Sequence, residues 1–125
     1  MKALVYTGVE ELVYREEKDP VETSGESILK VHASGICGSD MHAYHGKDER
    51  RIAPLIIGHE VSGVIQNGKF QGKNAVLNPL ITCGKCEYCT SEREHLCPHR
   101  VLLGMNRPYE RQGVFAELVS SPNQN

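Results

Sequence analysis

"CGKCEYCTSEREHLC", Cys83 to Cys97, holds four of the chain's five cysteines in the pattern C-x2-C-x2-C-x7-C. Outside oxidising compartments, cysteines in a pattern point to a metal before a disulfide. Two-residue gaps let a tight turn wrap an ion, with backbone N–H groups aimed at the sulfurs. The longer gap brings the chain back to close the fourth position. Zinc accepts such a tetrahedron of thiolates at about 2.3 Å. An iron–sulfur run is the rival, but it would place its fourth cysteine after three intervening residues, and here there are seven. Four ordinary buried thiols fit poorly among charged and polar neighbours. A closed four-sulfur site builds structure and does no chemistry.

The rest of the composition sets outer bounds. The chain has 125 residues, enough for one domain with a real core. Its net charge is −2, with 14 basic and 16 acidic side chains intermixed, so no basic stripe points to nucleic acid or an anionic membrane. "KDERR" (Lys47 to Arg51) reads as a solvated loop. No apolar run approaches the roughly 18 residues that span a bilayer. The start, "MKALVYTGVEEL", is too soon acidic for a secretory signal, and no N-x-[ST] acceptor occurs. The expected compartment is the cytoplasm.

The chain reads as mostly β. "KALVYTG" (Lys2 to Gly8) and "ELVYREE" (Glu11 to Glu17) flank a two-residue turn, Val9-Glu10. "SILKVHASGIC" alternates, with Leu29, Val31 and Ala33 on one face and Lys30, His32 and Ser34 on the other. "EVSGVIQNG" and "NAVLNP" are further strands. "GVFAELVSS" sets Val114, Ala116 and Leu118 against Phe115, Glu117 and Val119. One short helix is expected, capped by Ser39 or Asp40 and ended by Gly46. Five or so short strands broken by Gly and Pro turns predict a small barrel or sandwich.

The fifth cysteine stands apart, in "GICGSDMHAYHG" (Gly35 to Gly46), and a second polar cluster, Gly58-His59-Glu60, follows an apolar run. Cys37, His59 and Glu60 are ligand types for a zinc that keeps one position open. Such a zinc acts as a Lewis acid on an alcohol or carbonyl oxygen. On spacing alone Cys37 reads equally as a small core residue, and His59 as a satisfied core histidine. Both readings stay open at this level.

"GICGSDMHAYHG", "PLIIGHEVSGVI", "NPLITCGKCEYCTSEREHLCP" and "GVFAELV" occur in one order and register from Met1 to about Val119. Together they resemble the amino-terminal catalytic domain of the zinc-dependent medium-chain dehydrogenases, which include alcohol, polyol and threonine dehydrogenases. The resemblance implies a mostly β fold, a GroES-like small β-barrel with short helices and a zinc-binding lobe over residues 79–100, within one domain spanning 1–125. It implies catalytic-zinc ligands at Cys37 and His59, with Glu60 ligating or lying beside the metal. It implies structural ligands at Cys83, Cys86, Cys89 and Cys97. Ser39 matches the hydroxyl that takes the substrate's proton, and His42 a position that passes it towards solvent. Asp40 matches the acid that hydrogen-bonds the zinc-bound histidine. Ser39 also suits a plain helix cap, His42 a plain surface site, and Tyr44 either a pocket wall or the core. His32, His45, His95 and His99 match no ligand position and read as surface residues.

The implied cofactors are zinc and, through a dinucleotide-binding domain, NAD or NADP. The implied substrate is a small alcohol, most readily a secondary alcohol or polyol, and a homo-oligomer is compatible with the family. No G-x-G-x-x-G turn lies in residues 1–125, so the cofactor domain is expected elsewhere, and this stretch alone is expected to be inactive. Lys73-Asn74 stands where Gly-Asp is common, which implies a trimmed turn, and Val114 replaces a usual glycine at a strand start. Two other classes compete: a zinc-stabilised binding or structural module, and a zinc hydrolase with Glu60 as base. The absence of an H-E-x-x-H helix speaks against the second.

Overall fold

The two short runs at the amino terminus and the turn between them fold as read. β1 (Lys2–Gly8) and β2 (Glu11–Glu16) form an antiparallel hairpin about Val9-Glu10, with Ala3, Val5 and Tyr6 buried. The computed structural model describes residues 1–125. After the hairpin come β3 (Glu26–Gly35), helix α1 (Gly38–Tyr44), β4 (Leu55–Ile56) and β5 (Glu60–Ile65). Then follow β6 (Asn74–Val76), β7 (Leu80–Ile81), helix α2 (Glu87–Thr90), β8 (Val101–Leu102) and β9 (Leu118–Pro122). Short 3-10 turns lie at Gly68–Phe70 and Glu94–Leu96.

The strands form three antiparallel sheets, ordered β2-β1-β4, β6-β5-β3-β9 and β7-β8. Their ladders stop short of one continuous barrel. The irregular segment Gly113–Glu117 stitches the first two sheets instead. Leu4 N–H donates to Phe115 O (2.8 Å), Glu117 N–H to Lys2 O (3.0 Å), and Val31 N–H to Glu117 O (2.9 Å). A core cluster of Leu29, Val61, Ile81, Val101, Leu103, Val114 and Val119 joins the larger sheet to the β7-β8 pair. Full burial of side chains such as Leu29 and Leu103 contributes about 1.5–3 kcal/mol each.

Several expectations need correction. The strand expected from Gly113 starts only at Leu118. Gly113, Val114 and Phe115 donate their N–H groups to Ile56 O, Gly58 O and Ile57 O, so the backbone bends there. The bend shifts the side-chain phase, and Val114 and Val119, expected on opposite faces, enter the same core cluster. The "NAVLNP" strand ends at Val76. A second helix, α2, forms inside the cysteine lobe, where none was expected. The short return from β5 to β6 is closed by Gly72 N–H to Ile65 O (2.8 Å) and Ile65 N–H to Lys73 O (3.0 Å), which accommodates the trimmed turn. No helix is long and apolar enough to cross a membrane.

Candidate metal centres

The cysteine lobe is a loop pinched at its neck. β7 and β8 pair as Leu80↔Leu102 and Ile81↔Val101, and the chain between them carries all four sulfurs. From Thr82 to Arg100, Cys97 is the only buried residue, so the lobe has no apolar core of its own. The four sulfurs all lie within 4.8 Å of one another. Cys86 Sγ is 3.4 Å from Cys89 Sγ, and Cys83 Sγ is 3.9 Å from it. A tetrahedron with arms of about 2.3 Å has edges of about 3.8 Å, so the thiol set fits a zinc-sized ion.

The electrostatics of the lobe point the same way. The Lys85 backbone N–H, helped by that of Cys86, pulls the Cys83 thiol down to about 6. At Cys86 the Cys89 backbone N–H favours the thiolate, but burial and the crowding sulfurs of Cys89, Cys83 and Cys97 outweigh it and push the thiol up to about 11. Four sulfurs this close cannot all carry charge without a cation among them.

The second centre depends on strand register. β3 and β5 pair with Gly35 opposite Glu60 at the end of the ladder. Cys37 therefore leaves β3 beside His59 and Glu60, although 21 residues separate Cys37 from His59 in the chain. The three ligand atoms lie within 4.8 Å of one another. A side chain at Gly35 would collide with the Glu60 carboxylate, so glycine is needed for this approach. Gly58, in the left-handed region at φ +93°, packs its bare Cα face on the Phe115 ring and turns the chain into His59.

Helix α1 starts two to three residues earlier than expected. Its cap is Cys37, not Ser39 or Asp40, because the Asp40 carboxylate reaches back to accept the Cys37 N–H at 2.9 Å. Gly46, at φ +70°, ends the helix as expected. Asp40 is 2% exposed, and its second oxygen, Oδ1, has no hydrogen-bond partner. That oxygen lies 3.5 Å from His59 Nδ1. The arrangement leaves the other ring nitrogen, Nε2, for a metal, with a carboxylate behind the histidine. Ser39 is half-buried in the first turn of α1, and His42 is exposed on the same helix. Tyr44 is half-buried and packs edge-on to His45, while His32, His45, His95 and His99 are all exposed, as read from the sequence.

The reading of "KDERR" as a plain solvated loop is wrong at its last residue. Arg51 is 3% exposed and spends its guanidinium on interior partners. Nε donates to Gly104 O (2.9 Å), and Nη1 to Asp48 Oδ2 (2.6 Å) and Ser39 O (3.2 Å). The local sequence supplies only Asp48; the other two acceptors, Ser39 O and Gly104 O, come from distant segments, so the burial of this arginine is not marked in "KDERR". Burial opposes ionisation of Asp48, but hydrogen bonds from the Arg50 side chain and backbone N–H, with the charges of Arg50 and Arg51, hold its carboxyl below the usual range. A carboxylate with a lowered folded pKa stabilises fully above its unfolded value, about 3.9, and the gain is lost as pH falls through the folded value. Urea denaturation should show this loss in acid. Asp48→Ala should cost about 3–5 kcal/mol at neutral pH, because it takes the nearest carboxylate, at 2.6 Å, from a buried guanidinium. A loss below 1 kcal/mol would contradict the pairing.

Residues 23–125 match the family model described as the alcohol dehydrogenase GroES-like domain. The chain is 35% identical over 136 residues to an L-threonine 3-dehydrogenase of Anaeromyxobacter sp. (strain K), covering 100% of this chain and 38% of that protein. It is 37% identical over 135 residues to the L-threonine 3-dehydrogenase of Streptomyces coelicolor, with the same coverage. Among solved structures, the alcohol dehydrogenase TADH from Thermus sp. ATN1 superposes with a TM-score of 0.89 at 31% identity, over 100% of this chain and 38% of that one. A cobalt- and zinc-bound thermostable alcohol dehydrogenase from Pyrobaculum aerophilum gives 0.87 at 25% identity, over 100% and 40%. The chain thus spans well under half the length of these relatives. The match over residues 23–125, with relatives at 35% and 37% identity across the whole chain, shows that the chain belongs to the GroES-like domain family that forms the amino-terminal part of zinc-dependent alcohol dehydrogenases.

Proposed function

We propose that residues 1–125 are the catalytic β-domain of a zinc-dependent NAD(P) dehydrogenase acting on a secondary alcohol or polyol, with the nicotinamide bound by a separate dinucleotide domain. The convergence of Cys37, His59 and Glu60, with the buried Asp40 behind His59, carries this reading. Cys83, Cys86, Cys89 and Cys97 would hold a structural zinc. Bound at Cys37, His59 and Glu60, a second zinc would supply Lewis-acid polarisation of the substrate oxygen.

The chain's own residues do the rest. Asp40 Oδ1 lies 3.5 Å from His59 Nδ1, where its charge favours the tautomer with the hydrogen on Nδ1 and Nε2 free. Ser39 Oγ lies 3.4 Å from Arg51 Nη2, which can donate to it. A hydroxyl held this way keeps a lone pair to take the substrate proton and its own hydrogen to pass on. His42, exposed on the same helix one turn on, is the residue through which we propose that the proton reaches water. A binding module without chemistry would need the four-cysteine lobe but would have no use for the second cluster.

Elemental analysis of the purified chain tests the reading. We expect close to one tightly held zinc per chain and a second at partial occupancy, since three ligands from this chain leave the second site open. Cys37→Ala should lose only the second. Absence of zinc, or iron with sulfide, would overturn the assignment of the lobe.

A further inference from the structure

The interior contacts of Arg51 end at the second centre. Its Nη2 lies 3.4 Å from Ser39 Oγ, 3.5 Å from His59 Nδ1 and 3.8 Å from Asp40 Oδ1. The other guanidinium donors are engaged by Gly104 O, Ser39 O and Asp48 Oδ2. One rigid fork therefore touches the residue read as the proton relay, the histidine read as a ligand, and the carboxylate behind that histidine. Asp40 Oδ1 is buried with no hydrogen-bond partner, and the two N–H groups within reach of it belong to His59 and Arg51. If Nδ1 of His59 carries the hydrogen, Nε2 is free to ligate, and Arg51 must share Asp40 Oδ1 with the ring. If Arg51 donates to a bare Nδ1, the hydrogen sits on Nε2 and ligation is blocked. How Arg51 is held therefore bears on whether His59 can serve a metal.

We infer that Arg51 is a positioning residue: its guanidinium, anchored by Asp48 and Gly104, locks Ser39 and the Asp40–His59 pair in one arrangement and so sets the divalent-metal affinity of the Cys37–His59–Glu60 site. This rests on the proposal that these three residues hold a metal. Lysine cannot replace it fully, because a single ammonium cannot reach Gly104, Asp48, Ser39 and Asp40 at once.

Cobalt(II) titration of the 125-residue chain tests the inference, with the four-cysteine site first loaded with zinc. Cobalt bound through the single Cys37 thiolate gives a visible d–d band and a thiolate charge-transfer band. Arg51→Met should weaken cobalt binding at this site 10- to 100-fold and shift the d–d band. Arg51→Lys should recover part of the affinity. Retained zinc in the four-cysteine site and an unchanged far-ultraviolet spectrum certify the fold of each variant. Should Arg51→Met fail that check, Arg51→Lys carries the test, with an expected loss of at least threefold and a displaced band. Wild-type affinity and an unshifted band in the folded variants would overturn the role of Arg51 while leaving the metal site standing. If the wild-type chain takes up no cobalt, or Cys37→Ala does not abolish uptake, the metal site itself is wrong and the inference falls with it.

Discussion

Cys89→Ser should unfold the cysteine lobe, while Cys37→Ser should leave the fold intact. The contrast follows from what each sulfur is near. Between Thr82 and Arg100 only Cys97 is buried, and the two short helical turns there bury no residue. Four residues of β7 and β8 hold the neck, with Ile81 and Val101 in the main core. Nothing apolar offsets the conformational entropy of ordering the rest of the loop, about 1–2 kcal/mol per residue. A metal gripped by four thiolates supplies apparent binding energy on the order of 10 kcal/mol, coupled to folding. Loss of one ligand removes much of it, and a strong chelator should act in the same way. Cys37 sits at a helix start and is absent from all three core clusters. Thermal melting, together with hydrogen exchange over residues 79–100, distinguishes the outcomes. Equal loss of stability in the two variants would make Cys37 a core residue and remove it from the metal site.

NAD should not bind residues 1–125 more tightly than millimolar, and these residues alone should show no measurable NAD(P)-dependent alcohol oxidation. Hydride transfer requires a nicotinamide within van der Waals contact of the substrate's carbinol carbon. Residues 1–125 contain no glycine-rich βα turn to cradle a pyrophosphate, and the sheets are antiparallel throughout. The barrier reduction from holding both reactants in register, roughly 7–11 kcal/mol, is then out of reach. Joining the chain to a dinucleotide-binding domain should restore oxidation, and Cys37→Ala or His59→Ala in that longer protein should abolish it. Calorimetry showing micromolar NAD binding to residues 1–125 would refute the separation of cofactor and metal between domains. Full activity after loss of Cys37 would refute the catalytic role of the metal cluster.

Much of this is legible in the sequence because it is local. The cysteine spacing places four sulfurs within one short loop, and a loop of that length can bring them together whatever surrounds it. The β1–β2 hairpin and the end of α1 at Gly46 depend on neighbours a few residues apart, and both appear where the sequence puts them. The start of α1 was harder to see. Ser39 and Asp40 both suit a cap by type, but Asp40 is held in the interior beside His59 and Arg51, and from there its carboxylate caps Cys37.

The alternation in "GVFAELVSS" failed for a related reason. Hydrogen bonds to Ile56, Ile57 and Gly58 bend residues 113–115, and a bend resets a period of two. Sequence by itself determined the four-cysteine spacing, the candidate ligand types at Cys37, His59 and Glu60, and the β character of the chain, since side-chain chemistry and local periodicity are properties of short segments. Only the tertiary structure decided that Gly35 pairs with Glu60, which brings Cys37 to His59, and that Arg51 is buried among Ser39, Asp40, Asp48 and Gly104. Strand register and the burial of a single charge are set by the sum of many contacts distant in sequence, and no short stretch of residues carries that sum.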